Sequence, residues 1–262
     1  MYSFELMKPT TLAEAISALS GDEAQALAGG QTLIPSMKQR LNAPATLVSL
    51  TGIADLVGLR REGETLVIGA GTTHAQVARE AGAHYPALAA LAGGIGDPAV
   101  RNRGTIGGSL ANNDPSACYP AAVLASGATI ITNTREIAAD DFFDGMFATV
   151  LHEGEIITAV RFPIPQKAAY AKFLQPASRF ALTGAFVAQF ADGVRVAITG
   201  ASEGGVFRWS EAEAALSGNF SAEALSGLSA SAEGLIGDLH GTPEYRANLV
   251  AVMTRRAVAA AH

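Results

Sequence analysis

Apolar and polar positions along the first 50 residues fall into short blocks that predict a β-α-β-α-β unit. Strands are predicted at "YSFELM", "AQALA" and "ATLVSL", each bounded by polar or turn-forming residues. Thr11 and Glu14 have the spacing of a capping box that opens a first helix. A second helix is predicted from Leu33 to Arg40, because Pro35 is tolerated in a first turn. We place the end of this unit at residue 55.

A second unit is predicted over residues 56–165. Its strands are "TLVIGAG", "ATIIT" and "EIITAVRFPIP", the last ended by its prolines. Thr73 and Gln76 form a second capping box ahead of a helix that runs toward Gly82, and further helices are predicted at "YPALAALAGG" and near Tyr119–Leu124. Between the last two helices, the polar stretch "RNRGTIGGSLANNDP" is predicted to be a backbone-exposing loop.

Residues 166–262 have a different pattern, which predicts an antiparallel sheet followed by helices. "KFLQ", "GAFVAQFA" and "GVRVAITGAS" form a meander, with Asp192-Gly193 as a hairpin turn. Helices rich in Ala, Ser and Gly follow from Ser210. The final helix starts at an N-cap, Thr242, and its predicted packing stripe is Tyr245, Leu249, Val252 and Met253. The whole chain is therefore predicted to be an α+β protein of three units.

Composition narrows the class of protein without identifying it. The 262 residues are 49% hydrophobic and 16% charged, which is typical of a folded chain with a sizeable core. The net charge is −6 and no run of Lys or Arg stands out, so nucleic-acid binding has no electrostatic support. No apolar run approaches the roughly 20 residues that span a bilayer, so no membrane span is predicted.

Cysteine and histidine usage limits which centres the chain can hold. The single cysteine, Cys118, excludes an internal disulfide and also excludes an iron–sulfur cluster held by this chain alone, which needs about four cysteines. Its thiol suggests a reducing compartment, and the N-terminus has no signal-peptide pattern, so we expect a cytoplasmic protein. The five histidines show no metal-ligand spacing, and no metal site is predicted.

One glycine-rich turn resembles a dinucleotide fingerprint only in part. In "LVIGAGTTH", Gly69 and Gly71 follow a strand, but His74 stands where a third glycine is needed for close packing of helix and strand. The acidic residue expected about 20 positions later is also missing, because that region reads "ALAALAGG". We interpret this segment as an ordinary strand-to-helix turn.

Two other loops, "LAGGQTL" and "TIGGSLA", carry paired glycines followed by amide or hydroxyl side chains. Glycines let main-chain N–H groups converge on an anion without a Cβ in the way. Neither loop contains a Lys or the spacing of a Mg-nucleotide P-loop. Two such loops would suit a diphosphate held from two sides by main chain, but a pair of tight turns explains the residues equally well.

The longer stretches around these loops are specific. "LAGGQTLIPSMKQRL" and "GDPAVRNRGTIGGSLANNDPSACYP" together resemble the FAD-binding medium subunit of molybdenum hydroxylases, the group of xanthine dehydrogenase and aerobic carbon monoxide dehydrogenase. "EIITAVRFP", "YAKFLQPASRFALTGAFVA" and "YRANLVAVMTRRAV" resemble later segments of that family in the same order. The resemblance implies a two-subdomain FAD-binding domain, similar to vanillyl-alcohol oxidase, over residues 1–55 and 56–165, and a C-terminal domain over 166–262.

The same resemblance implies the cofactor site. The FAD diphosphate would lie between the two glycine loops, and Asp114 would shape the second loop or reach a sugar hydroxyl. Ile95 and Ile157 fall at positions that pack near the flavin in relatives. The expected cofactor-binding residues on the two loops are Leu27, Ala28, Gly29, Gly30, Gln31, Thr32, Leu33, Thr105, Ile106, Gly107, Gly108 and Ser109.

This chain departs from the family pattern at two positions. Many relatives carry an acid that binds the ribityl chain where this sequence has Cys118, and a thiol is a weak donor and acceptor. Relatives tend to have a Lys near the flavin where this sequence has Leu174, while Lys172 lies two residues earlier on the same face of a strand. Phe180 stands where relatives often place an aromatic side chain near the isoalloxazine ring, although a core role is an equal alternative.

The function implied by the resemblance is electron transfer. Such a subunit binds FAD and accepts electrons from [2Fe–2S] clusters of a small partner, which receive them from the molybdopterin of a large partner, in a heterotrimer or its dimer. No catalytic acid or base is expected in this chain, because the redox chemistry belongs to the cofactor. The alternatives are a self-contained FAD oxidoreductase and a cofactor-free paralogue that acts in assembly.

Overall fold

The computed structural model describes residues 1–262, and its first unit is a three-stranded parallel sheet. Two helices connect the strands, whose spatial order is β1-β3-β2. Glu14 and Thr11 form the predicted capping box. The first strand is shorter than the segment "YSFELM", and the second helix ends two residues before the predicted Arg40. The elements are β1 (Glu5–Met7), α1 (Leu12–Leu19), β2 (Ala24–Leu27), α2 (Leu33–Lys38) and β3 (Thr46–Ser49).

The second unit is a five-stranded antiparallel sheet in the order β4-β5-β8-β6-β7. Its two edge strands, β4 and β7, were not predicted. The strands are β4 (Leu59–Glu62), β5 (Thr65–Gly69), β6 (Thr129–Thr132), β7 (Glu136–Ala138) and β8 (Ile157–Pro163). The helices are α3 (His74–Glu80), α4 (Pro86–Gly93), α5 (Pro98–Arg101), α6 (Ile106–Asn112) and α7 (Tyr119–Ala125).

The polar stretch between α4 and α7 is not the open loop that the sequence predicted. It folds into α5 and α6, and Thr105 caps α6 by accepting a hydrogen bond from the Gly108 N–H at 3.1 Å. The second capping box is half formed, because Thr73 Oγ1 accepts from the Gln76 N–H but the Gln76 amide donates to Glu80 instead. A short helix therefore carries the second pair of glycines.

The third unit is an antiparallel sheet, as predicted, with two helices; it has four strands, because Phe207–Arg208 adds a short strand to the three that were predicted. The hairpin turn is centred on Ala191-Asp192, one residue earlier than predicted, because Phe190 pairs with Gly193. Thr242 caps the last helix, but the predicted packing stripe is wrong at Tyr245, whose side chain is exposed while Val250 and Ala257 are buried. The elements are β9 (Lys167–Leu174), β10 (Ala181–Phe190), β11 (Gly193–Thr199), β12 (Phe207–Arg208), α8 (Ser210–Gly218) and α9 (Pro243–Ala260).

The hydrophobic core joins the second and third units. Its largest cluster packs Tyr85, Phe142 and Phe162 of the second unit against Phe186 of the third. A separate, small cluster around Val48 lies under the first sheet. The α+β class is confirmed, whereas the domain limits at residues 55 and 165 stay a prediction. None of the helices combines the length and the apolar character needed to cross a bilayer.

Candidate functional site

A cavity of about 860 Å³ is lined by segments of all three units. This volume lies in the range of roughly 300–1,000 Å³ that is typical of small-molecule and cofactor sites. The lining segments come from residues 25–42, 50–74, 95–118, 147–157 and 172–180. Both glycine loops are among them, so the structure brings together two segments that are about 75 residues apart in sequence.

The first glycine loop, residues 28–32, lies between β2 and α2 and leaves its main chain free to bind a ligand. None of its N–H groups donates a hydrogen bond to any other group of the protein. Gly30 has a φ of +70°, which glycine adopts without strain. The Thr32 side chain makes no capping bond, so its hydroxyl is also free. Ala28 to Gly30 are half-buried and Gln31 and Thr32 are exposed, and a row of free N–H groups on a cavity wall suits an anion.

The second glycine segment, residues 105–109, differs in this respect from the prediction. The N–H groups of Ile106 to Ser109 all have acceptors inside the protein, so they do not face the cavity as main-chain anion ligands. The acceptors are Thr72 O for Ile106, Ala70 O for Gly107, Thr105 Oγ1 for Gly108 and Thr105 O for Ser109, at 2.9–3.1 Å. Thr105, Gly107, Gly108 and Ser109 line the cavity, so the polar side chains that this segment brings to it are the hydroxyls of Thr105 and Ser109.

Ile106 is the one predicted site residue that does not line the cavity. Its side chain is fully buried in the core, and its N–H is donated to Thr72. Ile106 is the first residue of α6, and its side chain points into the core. The other predicted site residues all line the cavity.

The glycines of both segments allow close approach of main chains. A Cβ on Gly29 would overlap the carbonyl oxygen of Arg103 and lie 2.7 Å from Gly104 Cα. A Cβ on Gly107 would lie 2.5 Å from the Ala70 Cβ and 2.9 Å from the Ala70 oxygen. Real Cβ atoms do not approach other atoms so closely, so the two segments pack against their neighbours only as glycine.

His74 is a cavity residue that the sequence did not single out. It is the first residue of α3, 5% exposed, and its main-chain N–H donates to Gly104 O at 2.9 Å. Burial, and next the positive charge of Arg101, lower its pKa to about 4, so the imidazole is neutral at pH 7. The ring lies 5.3 Å from the ring of Tyr119, and its Nδ1 has no hydrogen-bond partner in the protein. Its position directly after a helix cap was the signal available in the sequence.

Lys172 and Cys118 meet on the cavity wall. The Lys172 ammonium donates to Gly94 O at 2.8 Å and to Arg179 O at 3.1 Å, and it lies 3.5 Å from Cys118 Sγ. None of its partners is a carboxylate, so Lys172 brings an uncompensated positive charge to the cavity. Its two carbonyl contacts also join the loop that carries Ile95 to the loop that carries Phe180.

Two buried tyrosines lie beside this thiol. The hydroxyl groups of Tyr119 and Tyr170 have no hydrogen-bond partner in the protein. Burial raises the pKa of both phenols well above the usual value, and the neighbouring Cys118 thiol raises them further. Cys118 thus lies beside three donor groups, Lys172 and the two phenols, an arrangement that would suit a carboxylate better than it suits a thiol.

The remaining predicted residues border the same cavity. The Asp114 carboxylate accepts from the Ser116 N–H at 2.8 Å, which shapes the segment after α6. Ile157 is buried and Ile95 partly buried, while the Phe180 ring is 51% exposed. Phe147, which the sequence did not indicate, also lines the cavity. The wall thus offers free N–H groups, hydroxyls and apolar surface in one space.

The carboxylates on the cavity wall are engaged with protein groups. Glu155 pairs with Arg135 at 2.9 Å, and that pair and further hydrogen bonds hold the pKa of the carboxyl far below its usual range. Asp97 accepts from the Val100 N–H at 2.9 Å as the cap of α5. With Asp114 also engaged, every carboxylate on the cavity wall has a hydrogen-bond partner within the protein, and the His74 imidazole is neutral at pH 7.

Comparison with known proteins agrees with this site. The family model described as "FAD binding domain in molybdopterin dehydrogenase" matches residues 2–165. The carbon monoxide dehydrogenase medium chain of Afipia carboxidovorans is 35% identical over 275 residues, which cover 98% of this chain and 96% of the relative. The nicotine 6-hydroxylase medium subunit of Paenarthrobacter nicotinovorans is 35% identical, with 95% of this chain and 94% of the relative covered.

Solved structures show the same similarity in three dimensions. A chain of the Cu,Mo-CO dehydrogenase, in its cyanide-inactivated form, superposes with a TM-score of 0.88 at 33% identity, and the match covers 98% of this chain and 97% of that one. A chain of quinoline 2-oxidoreductase from Pseudomonas putida 86 gives a TM-score of 0.88 at 29% identity, over 98% and 96% of the two chains. The predicted FAD-binding fold with a C-terminal antiparallel sheet is confirmed, and the free N–H groups of residues 28–32 fit a diphosphate-containing cofactor. The chain therefore belongs to the FAD-binding family of the molybdopterin dehydrogenases and is a flavoprotein subunit of an oxidoreductase.

Proposed function

We propose that the chain is the electron-transfer subunit of a molybdenum-containing hydroxylase or dehydrogenase. In this function it takes electrons from [2Fe–2S] clusters of a small partner subunit and passes them through FAD to an external acceptor. A large molybdopterin subunit would oxidise the substrate, and the complex would be a heterotrimer or its dimer. The medium chains and subunits among its relatives support this arrangement, since a medium chain implies partners of other sizes. The single cysteine supports it as well, because this chain alone cannot hold an iron–sulfur cluster.

The observation that carries the proposal is the row of free N–H groups from Ala28 to Thr32 on the wall of the cavity. We assign the FAD diphosphate to these donors, and the hydroxyls of Thr105 and Ser109 complete its shell from the opposite side. When bound, the flavin supplies the electron-accepting and electron-donating chemistry. The role of the chain is to hold the cofactor, with Ile95, Ile157 and Phe180 as apolar contacts.

The engaged carboxylates favour this function over a self-contained oxidoreductase. Such an enzyme needs a group that accepts a proton from its substrate beside the flavin. Asp97, Asp114 and Glu155 are all hydrogen-bonded within the protein, and a histidine with a pKa of about 4 is a weak base. The proposal also includes domain limits at residues 55 and 165. It further includes a cytoplasmic location, which the single reduced cysteine favours.

The purified chain tests this function directly. We expect a yellow protein, or an apoprotein that takes up added FAD, whose flavin is reduced by dithionite but not by organic substrates. In a complex with its two partner subunits, the same flavin should be reduced when substrate is added. A protein that does not take up FAD would contradict the proposal and favour the assembly paralogue. Reduction of the isolated chain by an organic substrate would favour the self-contained oxidoreductase.

A further inference from the structure

The turn at residues 144–148 holds an aromatic residue in an unusual conformation. Phe147 has a φ of +57°, in the left-handed region that bulky side chains rarely adopt. Such conformations persist only where the surrounding structure enforces them, and they concentrate at functional sites. The same turn contains Gly145, which adopts a φ of +85° without a side chain to strain. A glycine or asparagine at position 147 would fit the backbone better than phenylalanine does.

The buried side chain of Asn113 enforces this conformation. Its amide donates to Gly145 O and to Ala148 O, each at 2.8 Å, and its carbonyl oxygen on the main chain accepts from the Phe147 N–H at 3.0 Å. Asn113 is 1% exposed and is itself left-handed, with a φ of +42°, where it ends α6. Three hydrogen bonds from one buried residue thus fix the backbone on both sides of Phe147.

The ring that this turn presents has little packing of its own. Phe147 is 60% exposed, and its side chain lines the cavity. The turn is hydrogen-bonded to Asn113 at the C-terminal end of α6, and the N-terminal end of this helix is the cavity segment at Thr105. A helix of seven residues is about 10 Å long. Phe147 therefore lies about that distance along α6 from the hydroxyls assigned to the diphosphate, which leaves room for a sugar and a ring system between them.

We propose that Phe147 is a cofactor-binding residue whose phenyl ring packs against a heteroaromatic ring system of the dinucleotide, held in place for this contact by Asn113. This inference rests on the proposed function, because it takes FAD to be the ligand of the cavity. FAD has two such ring systems, adenine and isoalloxazine, one on each side of the diphosphate. An aromatic contact of this kind would cover the apolar surface that Phe147 exposes.

The test compares variants at two neighbouring positions of the full-length apoprotein. Phe147→Gly and Phe147→Leu remove the ring, and Phe147→Tyr keeps it. Met146→Ala is the matched control, because Met146 is an exposed apolar residue of the same turn that does not line the cavity. FAD affinity is measured by calorimetric titration, together with the thermal midpoint of each apoprotein. FMN and ADP serve as separate probes of the two halves of the cofactor.

We expect Phe147→Gly and Phe147→Leu to bind FAD about tenfold more weakly than the wild type, whereas Phe147→Tyr and Met146→Ala bind it normally. Phe147→Gly should not lower the thermal midpoint of the apoprotein, because glycine relieves the backbone strain. Weaker binding of ADP in the ring-deleted variants assigns the contact to adenine, and weaker binding of FMN assigns it to isoalloxazine.

Wild-type affinity for FAD in both ring-deleted variants would overturn the inference while leaving the proposed function intact. Failure of the wild-type apoprotein to bind FAD would instead overturn the proposed function. A loss of affinity in Phe147→Gly that is matched in Met146→Ala would show that the turn as a whole, rather than the ring, is required, and it would also overturn the assignment.

Discussion

The two paired-glycine segments are similar in sequence but have different structural roles. In the first, residues 28–32, the N–H groups are free and face a cavity. In the second, residues 105–109, the N–H groups after Thr105 are bonded inside the protein, and Gly107 serves to let α6 pack on Ala70. The same dipeptide can therefore expose a backbone for a ligand or remove a side chain for packing.

The difference comes from what lies beneath each segment. The second segment runs over the turn after β5, whose carbonyl groups at Ala70 and Thr72 point at its N–H groups. The first segment rests on the main chain of Arg103 and Gly104 through the Cα side of Gly29, and no carbonyl accepts its N–H groups. Ligand donors are thus left over where the neighbouring carbonyl oxygen, here that of Arg103, lies against a glycine Cα and not against an N–H group.

Adjacent alanine substitutions in the second segment test its packing role, with the largest effect expected. Gly107→Ala places a Cβ 2.5 Å from the Ala70 Cβ and forces α6 away from β5. We expect a loss of about 3 kcal/mol in the free energy of unfolding, or roughly 6 °C in thermal midpoint. Gly108→Ala meets the Thr105 hydroxyl at 3.0 Å and the Ala28 Cβ at an ordinary contact distance of 3.5 Å, and it gains helix propensity, so its stability should stay within about 1 kcal/mol of the wild type. Equal effects on the apoprotein would contradict a packing role that is specific to Gly107.

The support beneath the second segment should also depend on pH, through His74. Its pKa is about 4 in the folded protein against 6.5 in the unfolded chain, so the unfolded state binds more protons between these values. Stability should therefore fall as the pH is lowered through this window, by about 2 kcal/mol between pH 7.5 and 5. The charged and titratable groups around the ring are Arg101 and Tyr119.

Chemical unfolding at pH 7.5 and at pH 5 measures this difference in the free energy of unfolding. His74→Gln keeps a polar side chain of similar size without a titrating group, so its stability should change much less between pH 7.5 and 5. If the variant and the wild type lost stability in parallel, His74 would not be the group responsible.

The sequence predicted the first segment better than the second for a physical reason. A free main chain needs only local features, namely a strand end, two glycines and a following helix, and all of them are visible between Leu27 and Leu33. The partners of the second segment, Ala70 and Thr72, lie more than 30 residues earlier in the chain. The helix α6 was not predicted because it contains two consecutive glycines, and glycine is a poor helix former. Packing overrides that preference here.

Elsewhere in the molecule, too, local features were predicted and contacts between distant segments were not. The caps at Thr11 and Thr242 were predicted because they depend on residues three positions away. The roles of His74 and Phe147 were not predicted. His74 is packed against Gly104, and the turn of Phe147 is hydrogen-bonded to Asn113, and both contacts join segments that are distant in sequence. The order of the strands in the sheets likewise required the structure.

The hydroxyl groups of the second segment should affect cofactor binding more than folding. Ser109 Oγ makes no hydrogen bond within the protein, so Ser109→Ala should leave the thermal midpoint unchanged. The affinity for FAD should fall about fivefold, which is the effect of losing one hydrogen bond of about 1 kcal/mol. Thr105→Ala removes a cavity hydroxyl and also the cap of α6, and it should lower stability by about 1 kcal/mol as well. Calorimetric FAD titration and thermal unfolding separate the two effects. An unchanged FAD affinity in both Ser109→Ala and Thr105→Ala would show that the hydroxyl groups of the second segment take no part in binding.

The smallest expected effect concerns charge, which neither glycine segment supplies. Lys172 provides a positive charge to the cavity wall without a carboxylate partner. A nearby positive charge favours the reduced flavin, which carries more negative charge than the oxidised form, so Lys172→Met should lower the midpoint potential of bound FAD. At about 1 kcal/mol for a two-electron couple, the shift is roughly 20 mV. Lys172→Arg keeps the charge and should keep most of the potential, as measured by equilibration with redox dyes.

Cys118→Asp would give Lys172 a carboxylate partner beside the two free tyrosine hydroxyls, so it should shift the potential in the same direction as Lys172→Met. A potential that rises in Lys172→Met, or that falls equally in Lys172→Arg, would show that Lys172 acts by joining the two loops that it contacts rather than through its charge.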